Sequence, residues 1–312
     1  MAIALMLATL TDRRDFGSDW LLERKFDGER CLARKSAGEV RLESRTEKDL
    51  TGTYPEVGSA IAEQHGRTLL LDGEVVAFDG TQTSFSRLQQ RLGVATPSPE
   101  LVTAYPVVFC VFDLLELDGD DLRGRPLIER RARLGEAIRP SPALQVSEAW
   151  SDDSQRRFER ACRSGWEGLI AKRAASPYVA GRSRDWLKLK CVAEQELVVG
   201  GYTDPAGSRT DFGALLVGYY EDKKLRYAGK VGTGYTAATL RDLGARLRAL
   251  QTAQSPFVDA RPIPRGTHWV RPEVVVQIGF AEWTNDGRLR QARYLGLRDD
   301  KRPGEVVREL PS

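Results

Sequence analysis

The sequence predicts an α+β fold in two parts. Antiparallel sheets flanked by helices are expected over residues 1–192, and a small β-barrel over residues 193–312. Three observations predict it. Strand-like and helix-like runs are interspersed up to about residue 190, whereas from Leu197 short strands with glycine turns surround a single helix-like segment. A chain of 312 residues is long enough for two separate cores. A composition of 41% hydrophobic and 29% charged residues is ordinary for a globular enzyme.

Met1–Ala8 is a short apolar segment without a basic flank and reads as a first strand rather than a signal peptide. Trp20–Leu22 and Cys31–Ala33 bracket the stretch Glu23–Arg30, which should lie between two strands. Ser36–Glu39 reads as a hairpin turn, and Val57–Gln64 as a helix. Leu69–Phe78 is a strand pattern interrupted by Asp72-Gly73-Glu74, and a carboxylate inside such a run is costly unless it meets a cation or hydroxyl. Thr83 or Ser84 should cap a helix through Leu92. Tyr105–Asp113 is a buried strand, and Pro126 opens a helix over Leu127–Ile138. Ser151-Asp152-Asp153 starts another helix through about Ser164. Glu167–Arg173 is a strand, and Trp186–Lys190 alternates so that Lys188 and Lys190 share one face. Beyond residue 193 the strands are expected at Val198–Tyr202, Ala214–Tyr220, Leu225–Lys230, Val274–Glu282 and Leu289–Tyr294, with a helix at Thr236–Leu250. Five strands and one helix fit a small barrel of the OB-fold type. Ser255–Pro264 reads as a proline-rich loop within it.

No apolar run approaches the roughly 18–20 residues that span a bilayer, so no membrane partner is expected. The four cysteines are far apart and only two histidines are present. Buried free thiols in a reducing cytosol are therefore expected, and no zinc site. The net charge is +3. Residues 1–192 balance at 29 basic and 29 acidic, whereas 193–312 carry 18 and 15. The excess gathers around Arg288, Arg290, Arg293, Arg298, Lys301 and Arg302, which form either a solvated face or a phosphate-tracking surface.

The stretch Glu23-Arg24-Lys25-Phe26-Asp27-Gly28-Glu29-Arg30 carries the chemistry. Lys25 is either an exposed turn residue or a partly desolvated amine, held among cations and usable as a nucleophile. Gly28 would allow positive φ or close approach of a ligand. Arg30 offers a planar donor fork for a hydroxyl or phosphate. Further along stand Ser44-Arg45, Asp72-Gly73-Glu74, Phe112-Asp113, Glu167-Gly168, Lys188-x-Lys190 and the C-terminal cations.

In that order, these motifs resemble the covalent nucleotidyltransferases, which comprise ATP-dependent DNA ligases, RNA ligases and mRNA capping enzymes. Met6-Leu7-Ala8, Phe109-x-x-Phe-Asp-Leu-Leu-x-Leu-Asp-Gly119, Val199–Tyr202, Phe212–Gly218, Phe280–Thr284 and Gly296–Lys301 are similar to one branch. That branch is the ligase module of the bacterial end-joining enzyme Ligase D and its stand-alone relatives. The resemblance covers nearly the whole chain. It implies a nucleotidyltransferase domain followed by an OB-fold domain, with ATP and Mg²⁺ or Mn²⁺ as cofactors. It also implies a monomer acting on nicked double-stranded DNA in the bacterial cytoplasm, associated with the nucleoid. Bacterial Ku and a polymerase or nuclease module follow as partners by analogy only.

The resemblance assigns Lys25 the attack on the α-phosphorus of ATP, giving lysyl-AMP and pyrophosphate. AMP would pass to the 5′-phosphate of a nick, and the 3′-hydroxyl would then seal it. Lys188 and Lys190 would hold the α-phosphate, and Glu74 and Glu167 the metal or ribose. Phe112 would stack on adenine, Arg30 grip the ribose, Arg45 meet the nick phosphate, and the backbone around Glu23 read the adenine edge. Arg298 and Lys301 would orient the leaving pyrophosphate from the second domain. Three departures stand out: Glu29, the pair Gln277-Ile278, and Gln291-Ala292-Arg293. Trp269, Trp283 and Tyr294 read as core residues before they read as base-stacking ones. The rival readings are a capping-type guanylyltransferase or RNA ligase using the same lysine, and a nucleic-acid-binding protein without catalysis.

Overall fold

The computed structural model describes residues 4–191, 194–205, 210–260, 263–284 and 286–309. The chain divides into two compact units between Cys191 and Val192. The expected domain boundary, at Val192 and Ala193, lies outside the described residues, as do Arg261 and Pro262 of the proline-rich segment.

The first unit includes the strands β1 (Met6–Leu10), β2 (Trp20–Lys25), β3 (Glu29–Ser36), β4 (Glu39–Ser44), β5 (Thr68–Asp79), β6 (Val107–Leu117), β7 (Leu144–Val146), β8 (Ala149–Trp150), β9 (Gly168–Arg173) and β10 (Gly181–Lys190), with two-residue strands at Gln82–Thr83 and Asp120–Asp121 on the margin of the second sheet. Its helices are α1 (Pro55–Ala62), α2 (Phe85–Leu88), α3 (Pro99–Ala104), α4 (Leu127–Ala137) and α5 (Ser154–Arg163). One sheet runs β1-β10-β9-β2-β8, the other β4-β3-β5-β6 with β7 beside β6. Most ladders are antiparallel, as expected, but β1 pairs with β10 and β7 with β6 in parallel. The expected hairpin forms, with Ala37 at φ 50° and Gly38 at φ 85°.

Each sheet buries one apolar face under helices. Trp20, Leu22, Leu169, Ala171, Leu187 and Leu189 pack with Ala161 of α5, while Cys31, Leu42, Leu71 and Phe109 pack with Val57 and Ile61 of α1. A third, smaller cluster joins the two sheets through Met6, Leu32, Leu70, Phe112, Tyr178 and Trp186. Nearby, Arg130 of α4 makes a fully buried bidentate pair with Asp113 of β6 at 2.7 and 2.8 Å. Burial raises the Asp113 carboxyl, and Arg130 opposes that shift.

The second unit contains β11 (Glu194–Thr203), β12 (Leu215–Glu221), β13 (Lys224–Val231), α6 (Ala237–Ala249), β14 (Thr267–Gly279) and β15 (Arg293–Leu297). The order is β13-β12-β11-β14-β15. A hydrogen bond from the Tyr294 amide to the Thr233 carbonyl, 2.9 Å, brings β15 back beside the end of β13 and rounds off the barrel. Thr236 caps α6 by accepting from the Thr239 amide. Tyr294 is buried, and Trp269 and Trp283 pack partly buried against the barrel core.

Three local expectations are corrected. The helix expected through Leu92 ends at Leu88, Ser84 makes no side-chain cap, and the short helix α3 was not anticipated. Cys162 and Cys191, expected as free thiols, form a disulfide, whereas Cys31 and Cys110 are free and buried. Its cause is tertiary: α5 packs over the apolar face of the first sheet and brings two Cα atoms, separated by 29 positions, to 5.2 Å. Gly28 has no positive φ. A Cβ there would stand 2.2 Å from the Val75 carbonyl oxygen, so the glycine serves approach of one backbone to another.

Candidate active site

The polar face of the first sheet is built in rows. Lys25 on β2 stands opposite Gly168 on β9, which stands opposite Lys190 on β10. Two residues along, Glu23, Ile170 and Lys188 form a second row, and Leu21, Lys172 and Trp186 a third. Successive side chains alternate across a sheet, so these residues share the face opposite the Trp20–Leu22–Leu189 cluster. That face meets the second sheet. Lys172 Nζ lies 4.2 Å from the Phe112 ring centroid, and the Tyr178 hydroxyl donates to Asp72 Oδ2 at 2.6 Å.

Lys25 ends β2 and its amine is ion-paired with Glu167, with side chains 19% and 9% exposed. Glu167 precedes Gly168, and a Cβ on Gly168 would lie 1.8 Å from the Leu189 carbonyl oxygen. This glycine lets β9 pass closely enough to β10 to hold the Lys25–Lys190 row. Gly168→Ala is therefore expected to destabilise the first unit by about 3 kcal/mol and to misplace Glu167. Urea unfolding checks it, and a variant as stable as the parent would contradict the steric argument.

Glu23 is 1% exposed. Its carboxylate takes Arg131 at 3.0 Å and Lys172 at 2.9 Å, and its backbone pairs with Ile170 on one side and Ala149 on the other. Its backbone lies within the ladder between β8 and β9. The carboxylate is the part that faces the second sheet. Burial lowers the Lys172 amine and Glu23 opposes that shift. Lys172 and Arg131 were not singled out from sequence, although two-residue spacing from Gly168 already placed Lys172 on the polar face.

On the second sheet, Arg30 faces Glu74 across the β3–β5 ladder. Arg30 donates from Nε and Nη2 to Asp72, both at 2.6 Å, and from Nη2 to the Met6 carbonyl at 3.3 Å. The fully buried carboxylate of Asp-Gly-Glu is therefore Asp72, and Glu74 is half-buried beside it. Phe112 is 8% exposed, edge-on to Trp186, with the Arg30 guanidinium 4.5 Å from its centroid. Arg45 lies half-buried just beyond β4. The departure at Glu29 is explained by alternation. Its side chain turns away from Arg30 and accepts the Tyr54 hydroxyl at 2.6 Å in the helix-side core.

In the second unit, Arg298 is 6% exposed and forks onto Asp300 at 2.9 Å through both Nε and Nη2. Lys301 Nζ lies 3.3 Å from Glu196, and Arg298 Nη1 lies 3.9 Å from the same oxygen. These are not the exposed cations that the basic cluster suggested. Arg298 holds the Asp300 carboxyl below its ordinary value against the effect of burial. A depressed carboxyl contributes stability above its unfolded pKa, about 3.9, and loses it as pH falls through the folded value. Asp300→Asn should cost about 2 kcal/mol at pH 7, with the gap narrowing below about pH 4. Paired urea titrations at the two pH values test this, and a gap independent of pH would contradict it.

Among the described residues, no three His, Cys, Asp or Glu side chains are grouped to cage a metal. Glu74 and Glu167 offer two separate hard-oxygen ligands, which suits a Mg²⁺ ion that keeps waters and substrate phosphates in its shell. No helix among the described residues is long and apolar enough to cross a membrane.

Comparison with known proteins places these features. A model of the ATP dependent DNA ligase domain matches residues 5–190, and one of the ATP dependent DNA ligase C terminal region matches 208–301. The multifunctional non-homologous end joining protein LigD of Pseudomonas aeruginosa is 39% identical over 99% of this chain and 37% of its own length. LigD of Mycobacterium bovis is 40% identical over 94% of the chain and 38% of its own, and a DNA ligase of Pyrobaculum calidifontis is 34% identical over 93% and 55%. The chain thus spans under two fifths of the length of the two LigD relatives. A mycobacterial DNA ligase D complexed with ATP and MES superposes with a TM-score of 0.68 at 37% identity, covering 98% of both chains. The first unit is accordingly a nucleotidyltransferase domain and the second an OB-fold domain, and the chain belongs to the family of ATP-dependent DNA ligases.

Proposed function

We infer that this chain seals nicks between a 3′-hydroxyl and a 5′-phosphate in duplex DNA, through lysyl-AMP and then a DNA-adenylate. The observation that carries the reading is Lys25 at the end of β2, ion-paired with Glu167 and in register with Lys190 through Gly168. The amine attacks the α-phosphorus and pyrophosphate leaves. The 5′-phosphate of the nick then displaces the lysine, and the 3′-hydroxyl displaces AMP. Each transfer accumulates negative charge on a phosphoryl group, so positioned cations do more here than acid–base groups. Lys188 and Lys190 hold the α-phosphate from adjacent rows of one strand; Glu74 and Glu167 would hold Mg²⁺, which would supply neutralisation of phosphate charge. Arg30 keeps its Nη1 edge toward the ribose while Asp72 fixes the fork. Glu23, held by Lys172 and Arg131, supplies an acceptor for the exocyclic amine of adenine, where guanine carries a carbonyl. Arg45 meets the nick phosphate, and Arg298 and Lys301 act on the leaving pyrophosphate.

The names of the LigD relatives extend the proposal to non-homologous end joining; Ku and a polymerase or nuclease module are proposed as partners by analogy with the family alone. We propose that a monomer carries out this activity in the bacterial cytoplasm, associated with the nucleoid. A denaturing gel tests the core of the reading: nicked duplex, ATP and Mg²⁺ should yield a sealed strand. Selective labelling of the protein by GTP instead of ATP would overturn it in favour of capping chemistry.

A further inference from the structure

On the opposite side of the first sheet, away from the Lys25 face, lies a cavity of about 220 Å³. Trp150 of β8 and Trp166, just after α5, line it with Arg157, Arg160, Ser164 and Glu148. The two indoles are nearly parallel, tilted 23° with centroids 6.1 Å apart. Each is backed by an arginine: Arg157 stands 4.6 Å from the Trp150 ring and Arg24 4.6 Å from the Trp166 ring. Asp152 holds Arg157 through two hydrogen bonds at 2.7 and 2.8 Å, so that guanidinium is fixed. The wall above the cavity is α5, whose ten residues carry Arg156, Arg157, Arg160 and Arg163 against one acid, Glu159. Arg156, Arg160 and Arg163 are exposed.

Partly exposed indoles lining a cavity beside a row of solvent-facing arginines offer the chemistry by which proteins hold unpaired nucleic acid: a base packs against the aromatic side chains and phosphates are tracked. The cavity is smaller than the roughly 300–1,000 Å³ that encloses a drug-sized ligand, so it suits one planar ring system whose charged remainder lies outside. Glu148 and Ser164 supply an acceptor and a hydroxyl at the rim.

We propose that the face formed by Trp150, Trp166 and α5 binds an unpaired single-stranded segment of DNA, with one base against the indoles and its phosphates along Arg156 and Arg160. This site lies beyond the proposed nick-sealing centre and would retain a frayed or overhanging strand near it.

The test is anisotropy of a fluorescein-labelled oligothymidylate titrated with the full chain. Trp150→Ala should weaken binding about tenfold, Trp150→Phe should keep most of it, and Arg160→Gln should weaken it about threefold with a shallower salt dependence. Sealing of a flush nick by Trp150→Ala should stay within about twofold of the parent. Oligothymidylate affinity unchanged in Trp150→Ala and Arg160→Gln would overturn the proposal. Equal loss of flush-nick sealing, or displacement of the oligomer by thymidine monophosphate at matching affinity, would also overturn it. Should circular dichroism show Trp150→Ala unfolded, the Trp150→Phe and Arg160→Gln results decide. A parent chain that binds the oligomer but seals no nick would count against the ligase reading and leave this one standing.

Discussion

Lys25→Ala should reduce formation of the acid-labile AMP adduct to background while leaving the protein folded. The side chain ends an edge-to-edge row, Lys25–Gly168–Lys190, and contributes no apolar packing to the cluster behind it. Its removal deletes one partly exposed ion pair, with Glu167, so stability should change by only about 1 kcal/mol. Lys172, on the same face, is 2% exposed and committed to Glu23. A gel of protein incubated with α-labelled ATP, alongside a urea melt, measures both halves of the prediction. Residual label in the variant would show that another group carries the nucleotide.

The second large effect falls on the OB-fold unit. Lys301→Ala should slow adenylation by about 10²-fold while sealing of pre-adenylated nicked DNA falls less than about tenfold, because pyrophosphate leaves only in the first step. Arg298→Ala should show the same split at a higher structural cost. Arg298 is nearly buried against Asp300, and truncating one partner of such a pair costs about 3–5 kcal/mol. Lys301, 17% exposed at its side chain, is the cleaner substitution. Single-turnover rates for the two steps, measured separately, provide the check. Equal loss at both steps would contradict a role confined to the leaving group.

The sequence made the strand ladder and its chemistry legible because both follow period two. Alternation alone put Lys188 and Lys190 on one face, and the charged stretch ending two apolar runs marked Lys25 as a strand-end residue. What alternation could not reveal is which charges neutralise one another across sheets. Asp72 rather than Glu74 proved to be the buried carboxylate, since Arg30 and Tyr178 reach it from β3 and from the segment before β10. Lys172 and Arg131 meet on Glu23 only after β2, β9 and α4 have packed. The Cys162–Cys191 disulfide and the sequestered Arg298 have the same origin: partners set by packing, remote or locally hidden, that composition cannot report. Within the basic C-terminal cluster, a charge count gives the totals but not the pairing, which sets Arg298 on Asp300 and Lys301 beside Glu196.

The most direct measurement is peptide mapping after incubation with ATP and Mg²⁺, with the digest kept out of acid to preserve a phosphoramidate. The predicted result is AMP on the single lysine of the peptide containing Lys25 and on no other peptide. An adduct mapped to Lys172, Lys188 or Lys190, or none at all in protein that seals nicks, would contradict the assignment of Lys25 as nucleophile.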